Sequence, residues 1–507
     1  MVGTKLWSDL GIATLGMLTI LFSLAWHVNV RAISRHASPV YISPRVTSSA
    51  LAVPMLDNKA ALAAGPAFPR TWVPIASTWE LDPNRPTPVS FLGQRYIAYR
   101  DNKEQWVVMD DACPHRLAPL SEGRVDREND RIECGYHGWA FNSSGACERI
   151  PQATERLAAT AASSARACVA SLPTQVVCSV LWVWPWDEDC LSVAGEPGAH
   201  PEGMLEGVDP DSTTYTRDLP YGWDTLLENI VDPSHIPFAH HGLQGKRDDA
   251  IAINMSVPTL HGARGFSFEF GDRTMGKRRT GTGEFRAPYV VKYDATFEPT
   301  PTNAATRPFK LAVICVPTKP GWSRAIIFSA SRPKQASSQT KPPPKQSLVS
   351  RLIGLLPVWM LHLGSNRFLD SDLAFLHYQE QSVRERGGDA MASYYMPAPT
   401  DRCIAALRKW IVTFAHVPGP LPPPIYTRSI LFDRWTQHTS HCVHCQAALQ
   451  SFAKWRRNAY ALLAAAILGF QWWPARLVGL ASVALLWLLA ALEPAFRVND
   501  YKHYLSS

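Results

Sequence analysis

The sequence lacks the features of a disulfide-stapled secreted scaffold and of a nucleic-acid-binding surface. Only ten cysteines occur in 507 residues, and six of them follow no patterned spacing, so a disulfide framework is not indicated. Lys and Arg number 50 against 43 Asp and Glu, and the net charge of +7 is too diffuse to predict nucleic-acid binding. Wholesale disorder is excluded, because 46% of the residues are hydrophobic and only 18% are charged.

Acidic residues are absent from residue 10 to residue 56. Residues 10–30 carry no charged side chain and follow Lys5, as in a signal sequence or a first membrane anchor. Arginines then stand among many Ser, Thr and Ala residues, which is the composition of a transit peptide. We therefore predict a two-step plastid address in a targeting region over residues 1–70. An anchored or disordered N-terminus is the alternative.

Long apolar runs are confined to the two ends of the chain. Near the C-terminus, residues 459–473 and 477–492 are apolar and are separated by Pro474 and Arg476. Each run is slightly shorter than the roughly 20 residues that cross a bilayer, but tryptophans at their ends resemble interfacial anchors. We predict a hairpin of two transmembrane helices over 458–497. A buried amphipathic pair is the alternative, although neither run shows a polar stripe.

The central part of the chain divides into three segments. Residues 71–190 contain short β-rich runs between turn residues, which predicts a small antiparallel β-domain. Residues 191–425 mix helical and strand-like stretches, including predicted helices over 223–232 and 366–380, so an α+β domain is expected. Residues 426–457 form a Cys-x2-Cys-containing segment before the hairpin.

The first chemical motif is Cys113-Pro-His115, followed after 18 residues by Cys134-Gly-Tyr-His137. Two loops that each offer one thiolate and one imidazole suit either zinc or an iron–sulfur cluster. In a Rieske centre the two cysteines hold one iron of a [2Fe–2S] cluster and the two histidines hold the other. The first domain is then an electron relay, whereas a zinc site would be structural.

The second motif places Asp232, His235 and His240 within nine residues. A spacing of five puts two side chains about 140° apart on an ideal helix, so the histidines converge only if the helix ends or bends between them. Pro237 is expected to supply that break. Two histidines and one carboxylate are the ligands of non-haem Fe(II) oxygenases. Polar loop residues and a satisfied core histidine are the alternative.

These motifs resemble those of a known family. Residues 110–141 look like the Rieske motif of ring-hydroxylating oxygenases, and residues 72–186 are similar to the whole Rieske domain. Residues 229–240 resemble the mononuclear-iron motif of the same oxygenases. Asn229 stands where the family has an acidic residue, but that position is not a ligand in the family.

The resemblance implies a [2Fe–2S] cluster, a mononuclear non-haem Fe(II) and a helix-grip-like catalytic domain. The implied cluster ligands are Cys113, His115, Cys134 and His137. The implied iron ligands are His235, His240 and Asp372, with Asp370 as the fallback for the carboxylate. Asp232 is implied to carry electrons from the cluster of one subunit to the iron of its neighbour, in a ring-shaped homotrimer, while orienting a histidine ligand.

The third motif is Cys442-x2-Cys445, just before the apolar hairpin. It is a candidate redox dithiol or half of a metal site. A zinc site that includes His438, His441 or His444 is the alternative. Together with Trp435 and the hairpin, the motif resembles the C-terminus of a plastid subgroup. That subgroup contains pheophorbide a oxygenase, a translocon-associated Rieske protein and a protochlorophyllide-linked envelope oxygenase.

The resemblance implies a membrane-bound enzyme of the plastid envelope or thylakoid. Such an enzyme takes electrons from reduced ferredoxin and uses O2 to oxygenate a chlorophyll-derived tetrapyrrole, for example pheophorbide a or a chlorophyllide. The acidic character of ferredoxins suits a basic partner. The alternative is a redox-sensing component of a plastid envelope complex, in which the Rieske centre and the Cys442/Cys445 pair report the redox state.

Overall fold

The computed structural model describes residues 68–186, 200–210, 212–299, 307–328, 356–415 and 425–503. Except for its last three residues, the predicted targeting region 1–70 lies outside the described residues.

The first domain consists of small antiparallel sheets, as the β-rich runs predict. Strands β1, β11 and β10 form one sheet, β2, β3, β4 and β9 a second, and β5 to β8 a third, in these orders. The bounds are Val73–Ser77 (β1), Thr87–Phe91 (β2), Gln94–Arg100 (β3), Trp106–Asp110 (β4), Arg124–Asp126 (β5), Arg131–Glu133 (β6), Ala140–Phe141 (β7), Cys147–Arg149 (β8), Ser171–Leu172 (β9), Thr174–Val177 (β10), Val180–Val183 (β11) and, for helix α1, Glu155–Ala162.

The second domain is built on one large antiparallel sheet with the order β12-β19-β18-β17-β16-β15-β13, and β14 also pairs with β15. Along β15 the side chains of Phe266, Phe268 and Phe270 are buried, as the two-residue period of a strand requires for one covered face. The bounds are Thr214–Leu219 (β12), Asn254–Met255 (β13), Thr259–Leu260 (β14), Gly265–Thr274 (β15), Lys277–Arg286 (β16), Val290–Phe297 (β17), Arg307–Pro317 (β18) and Ser323–Phe328 (β19).

Tight turns join several of the paired strands. β15 and β16 pair up to Thr274 and Lys277 and leave a two-residue turn of Met275 and Gly276. Both turn residues have positive φ, at 55° and 73°, which is the type I′ geometry that matches the twist of a hairpin. Such local closures explain why turn residues in the sequence mark the ends of the strands.

Helices of the second domain cover one face of its sheet and carry the polar residues of the site. Helix α3 buries Trp223, Leu226 and Leu227 against the sheet, while the long helix α5 buries many polar side chains. α5 is longer than the predicted helix over 366–380. The bounds are Pro201–Met204 (α2), Trp223–Val231 (α3), Ile236–Ala239 (α4), Val358–Glu385 (α5), Ala390–Ser393 (α6), Asp401–Phe414 (α7) and Arg428–Leu431 (α8).

The two domains share one hydrophobic core. Trp72, Trp182 and Trp184 of the first domain belong to the same buried cluster as Phe285 and Tyr289 of the second. A smaller cluster supports the loops around Cys113 and Cys134 in the first domain, and a third packs under the C-terminal helices. Burial of apolar surface is the main stabilising contribution to folding, so the shared cluster holds the domains together.

A hairpin of two helices ends the described chain, with α9 at Val443–Leu468 and α10 at Trp473–Leu492. Within the described residues, one helical segment is long and apolar enough to cross a membrane, Trp473–Phe496. α9 does not meet that criterion, because it begins well before the predicted span and contains Lys454, Arg456 and Arg457. The structure therefore supports one of the two predicted spans, and α9 also crosses the boundary predicted at 457/458.

Candidate metal centres

The first candidate centre lies on two loops of the first domain that have matching backbone geometry. In each loop the cysteine N–H donates to a carbonyl five residues on, from Cys113 to Ala118 and from Cys134 to Trp139, at 2.8 Å. In each, the cysteine carbonyl also accepts from the N–H four residues on. The residues at that fourth position, Leu117 and Gly138, have φ of 60° and 71°. The two loops therefore present cysteine and histidine in equivalent ways.

The side chains of these loops meet at the edge of the domain. Cys113 and Cys134 are buried, while His115 and His137 lie beside each other with ring centroids 4.6 Å apart. The His115 ring stacks on Trp139, and its Nδ1 atom is buried without a hydrogen-bond partner. Burial raises the pKa of the Cys113 thiol, and the neighbouring Cys134 raises it further.

This donor set fits a Rieske cluster. A buried imidazole nitrogen without a hydrogen-bond partner and two adjacent buried thiols match the ligands that a cluster with two thiolates and two imidazoles needs.

The second candidate centre begins where helix α3 ends. Asp232 follows the helix and accepts a hydrogen bond from the Ser234 N–H at 2.7 Å, which starts a 3-10 turn containing His235. Helix α4 follows and ends at Ala239, immediately before His240. Pro237 lies in the first turn of α4, where proline is tolerated. The expectation that Pro237 breaks the helix is wrong: the chain changes direction at Asp232 and again at the end of α4.

These turns bring His235 and His240 onto helix α5. The two Nε2 atoms are 3.2 Å apart, and His240 Nε2 lies 3.4 Å from Asp372 Oδ2. Ligand atoms of His235, His240 and Asp372 all lie within 4.8 Å of one another. Two imidazoles and one carboxylate on one side leave other positions open, which is the arrangement of non-haem Fe(II) oxygenases.

The tautomer of His240 follows from its neighbours. Its Nδ1 atom is 2.7 Å from Ser371 Oγ, and that hydroxyl donates to the Phe368 carbonyl at 2.6 Å. Since the hydroxyl proton is already used, His240 Nδ1 must be the donor, and the Nε2 lone pair points toward Asp372. An imidazole whose second nitrogen donates in this way is oriented as a metal ligand.

Burial sets the electrostatics of this centre. It raises the pKa of Asp372 to about 6, against the favourable charge of His235. It lowers the pKa of His240 to about 2, with additional repulsion from His235 and His503. A neutral imidazole beside an insufficiently compensated carboxylate suits a bound cation.

Asp370, the fallback carboxylate, has other partners. Arg217 lies 2.8 Å from its Oδ1 atom, and Arg434 pairs with its Oδ2 atom. All three side chains are buried. The side chains of residues i and i+2 on a helix point about 200° apart. Asp370 therefore faces these arginines, while Asp372 faces the histidines.

Asp232 stands between this centre and the surface. Its Oδ2 atom is 4.0 Å from His235 Nδ1, and its side chain is 26% exposed. His235 Nδ1 is buried without a hydrogen-bond partner. The carboxylate is thus close enough to orient His235 after a small adjustment and is also accessible from the surface of the protein.

A cavity of about 610 Å³ opens beside the second centre. His235 and Asp372 line it, together with apolar and aromatic side chains that include Phe238, Phe375 and Tyr395. Acidic side chains, among them Glu228, Asp232 and Asp401, also line it, and its size is typical of a small-molecule site.

Cys442 and Cys445 are buried at the start of α9 and form a third group with residues that the spacing does not reveal. Their thiols lie within 4.8 Å of ring nitrogens of His438 and His362. His362 is on α5, 80 residues before Cys442. His441 and His444, offered as alternatives from the sequence, are not members of this group. The sequence contains no signal for His362, because the helix predicted over 366–380 begins after it, whereas the structure places it in α5 on the same helix as Asp372.

Comparisons with known proteins agree with this arrangement. A family model described as Rieske [2Fe-2S] domain matches residues 71–173, and one described as pheophorbide a oxygenase matches residues 285–390. The chain is 36% identical to pheophorbide a oxygenase, chloroplastic, of Arabidopsis thaliana over 408 residues, covering 75% of this chain and 72% of that protein.

Two further chloroplastic relatives have different names. The chain is 33% identical to flavonoid 8-hydroxylase 2 of Ocimum basilicum, covering 74% of this chain and 73% of that protein. It is 31% identical to protochlorophyllide-dependent translocon component 52 of Arabidopsis thaliana, covering 74% and 72%. Among solved structures, dicamba monooxygenase bound to dicamba superposes with a TM-score of 0.51 at 18% identity, covering 67% of this chain and 96% of that one. This last likeness supports the fold.

Proposed function

Because this chain belongs to the pheophorbide a oxygenase family of Rieske oxygenases, we propose that it oxygenates a chlorophyll-derived tetrapyrrole with electrons from reduced ferredoxin. As a family member it is a Rieske non-haem iron oxygenase with a [2Fe–2S] cluster and a mononuclear iron. Like its chloroplastic relatives, it is a plastid protein. The substrate, the reductant, the membrane and the ligand residues are parts of the proposal.

The proposed ligands follow from the donor sets. Cys113, His115, Cys134 and His137 hold the cluster, and His235, His240 and Asp372 hold the iron. When bound, the cluster supplies single electrons and the iron supplies the activation of O2. Ser371 orients one iron ligand through the His240 Nδ1–H.

Asp232 is proposed to connect the two centres between subunits. It is partly exposed and lies 4.0 Å from His235. His115 and His137 lie at the edge of the first domain, where a neighbouring subunit can approach them. A homotrimer in which Asp232 of one subunit meets a cluster histidine of the next satisfies both observations.

The cavity beside Asp372 is the observation that carries the proposed substrate class. Phe238 and Phe375 line it, yet their side chains are 54% and 52% exposed. Exposed aromatic side chains at the mouth of a catalytic cavity suit a large, flat, apolar ligand. The exposed apolar side chains of α10, including Leu480 and Trp487, suit a membrane in which such a ligand would dissolve.

The test is turnover of the full-length protein in detergent with reduced ferredoxin and ¹⁸O2. The panel contains pheophorbide a, chlorophyllide a, protochlorophyllide and a flavone, because one relative is named as a flavonoid hydroxylase. We expect a tetrapyrrole product heavier by one or two ¹⁸O atoms. A labelled flavone without any labelled tetrapyrrole would overturn the substrate class.

A pair of variants tests the cavity itself. Phe375→Ala should raise KM for the tetrapyrrole about 5- to 150-fold, because burying an aromatic side chain against a ligand contributes about 1–3 kcal/mol. Val412→Ala removes an exposed apolar side chain of α7 that does not line the cavity and should leave KM unchanged. Equal effects of the two substitutions would contradict the assigned binding site.

A redox-sensing component of a plastid envelope complex is the second candidate, favoured by the likeness to a relative named as a translocon component. A sensor has no use for an open iron site with a cavity. If the cluster can be reduced and the iron site is filled, but none of the compounds in the panel is oxygenated, the result would support this alternative.

A further inference from the structure

We propose that His362, His438, Cys442 and Cys445 bind one zinc ion in a closed structural site that anchors the C-terminal helices to the oxygenase. All four residues are buried, and one ligand atom of each lies within 4.8 Å of the other three. Two thiolates and two imidazoles form one of the usual donor sets of structural zinc.

The distances fit the edges of a tetrahedron around a single ion. Zinc bonds of about 2.3 Å to sulfur and 2.0–2.1 Å to nitrogen give edges of about 3.3 Å between two nitrogens and about 3.6 Å between nitrogen and sulfur. His438 Nε2 lies 3.1 Å from His362 Nδ1. Cys445 Sγ lies 3.4 Å from the first of these nitrogens and 3.6 Å from the second, and Cys442 Sγ lies 3.4 Å from His362 Nδ1.

Hydrogen bonding alone does not account for this convergence. His362 Nδ1 carries at most one proton, yet it has three ligand atoms within 3.6 Å. An ion at the centre uses the lone pairs of all four groups at once. A two-iron cluster does not fit, because its thiolates and imidazoles bind different irons and so stand farther apart than the edge of one tetrahedron.

The outer nitrogens of both histidines have partners of the kind that orient metal ligands. His438 Nδ1 donates to the Thr216 carbonyl at 2.6 Å, which leaves the Nε2 lone pair for the ion. His362 Nε2 lies 3.9 Å from Glu80 Oε1. Carboxylate or carbonyl groups behind metal-bound imidazoles are a regular feature of zinc sites.

The burial of its two cysteines distinguishes this site from a thiol-exchange motif. Cys442 and Cys445 are 1% and 0% exposed. Reactive cysteines need solvent access so that a partner thiol can reach them, whereas a structural zinc site has four protein ligands and no open position.

The four proposed ligands come from two segments that are distant in the sequence, so a bound ion would hold those segments together. His362 is on α5, the helix that carries Asp372, while the two cysteines begin α9. Glu80 belongs to the first domain, and its carbonyl accepts a hydrogen bond from the Val443 N–H at 2.9 Å. The site thus connects the first domain, the iron-ligand helix and the C-terminal hairpin.

The first test is metal analysis of the full-length protein purified in detergent with its native cofactors. We expect about one zinc per chain in addition to iron. Cys442→Ser combined with Cys445→Ser should lower zinc at least tenfold, since even outer-shell changes cost about 10- to 100-fold in metal affinity. The electron-resonance signal of the Rieske cluster should remain, which reports that the double variant is folded.

Two matched controls change the same residue types outside the site. Cys403→Ser alters another buried thiol, and His441→Gln alters a histidine next to the motif. Both should retain zinc. Loss of zinc in the controls, or its retention in the double variant, would overturn the assignment.

A measurement on the unaltered protein keeps the proposal testable if the double variant does not fold. X-ray absorption at the zinc edge should give two sulfur ligands at about 2.3 Å and two nitrogen ligands at about 2.0–2.1 Å. A first shell without sulfur would overturn the site. Absence of zinc together with a Cys442–Cys445 disulfide in peptide mass analysis would establish the redox pair instead.

Discussion

Two sets of two cysteines and two histidines lie in this molecule, and they are built in opposite ways. In the first set, each of two adjacent loops contributes one cysteine and one histidine, all between Cys113 and His137. In the second set, one tight motif contributes both cysteines, and the histidines come from His438 and from the distant His362. The same donor atoms therefore serve different geometries.

The spatial arrangement of the cysteines and histidines differs between the two sets, and each arrangement suits a different metal group. Paired loops with matching backbone turns present two equivalent halves, which suits the two irons of a cluster. Histidines at the domain edge remain accessible for electron exchange. The second set closes around one point in the interior and leaves no access for substrate or reductant, as a structural ion requires.

The largest effect that separates the two sets is expected from single cysteine substitutions. Cys134→Ser should abolish the rhombic electron-resonance signal and all turnover, because the cluster loses a ligand, while zinc is retained. Cys445→Ser should lower zinc and retain the signal. Metal analysis and electron resonance on the same samples show whether each substitution affects only its own metal group. Loss of both metals in either variant would show that the two sets are not independent.

A smaller effect is expected at Asp232, the residue that is proposed to connect the first set to the iron. Asp232→Asn should keep cluster and iron bound but slow the reduction of the iron centre about 10- to 100-fold, the range for losing a carboxylate partner of a ligand histidine. Single-turnover product formation measures this rate. Asp248→Asn, at an exposed acidic residue, is the control, and wild-type rates for Asp232→Asn would contradict the connecting role.

The outer partners of the histidines offer a finer comparison. Ser371→Ala removes the acceptor of His240 Nδ1–H at 2.7 Å and should lower iron affinity about 10- to 100-fold. Glu80→Gln should lower zinc affinity less, because Glu80 is 3.9 Å from His362. Chelator competition followed by metal analysis measures both, and each variant is the control for the other metal.

The smallest expected effect concerns the matching loops of the first set. Gly138 has φ of 71°, and an added Cβ would lie 3.0 Å from Pro151 Cγ. Gly138→Ala should destabilise the protein by about 1–2 kcal/mol, the cost of left-handed backbone for a residue with a Cβ. Gly276→Ala has similar φ but no atom within 4 Å of the new Cβ, so thermal unfolding of the pair isolates the Pro151 contact. Equal losses would mean that this contact contributes nothing.

Much of the fold was predictable because its signals are local. The β-rich runs between turn residues correspond to the small sheets of the first domain, and the apolar spacing of Trp223, Leu226 and Leu227 corresponds to one buried face of α3. The first predicted membrane span, over residues 459–473, was not supported, because α9 ends at Leu468 and contains Lys454, Arg456 and Arg457 before its apolar stretch.

Some residues of the sites could also be predicted from the sequence, and others could not. His235 and His240 could be proposed from nine residues of sequence, although the reason for their convergence is the end of α4 and not a break at Pro237. The choice between Asp370 and Asp372 as the acid beside the histidines depends on which side of α5 meets Arg217 and Arg434.

The sequence by itself determined the paired Cys-x-His and Cys-x2-His loops, because their geometry depends on hydrogen bonds within six residues. It also determined the family, since those motifs lie close together in the chain. Only the tertiary structure decided that His362 joins Cys442 and Cys445, and that a cavity lined by both aromatic and acidic side chains opens beside Asp372. Those features depend on how α5 packs against β12 and α9, and contacts between distant segments leave no periodic trace in the sequence.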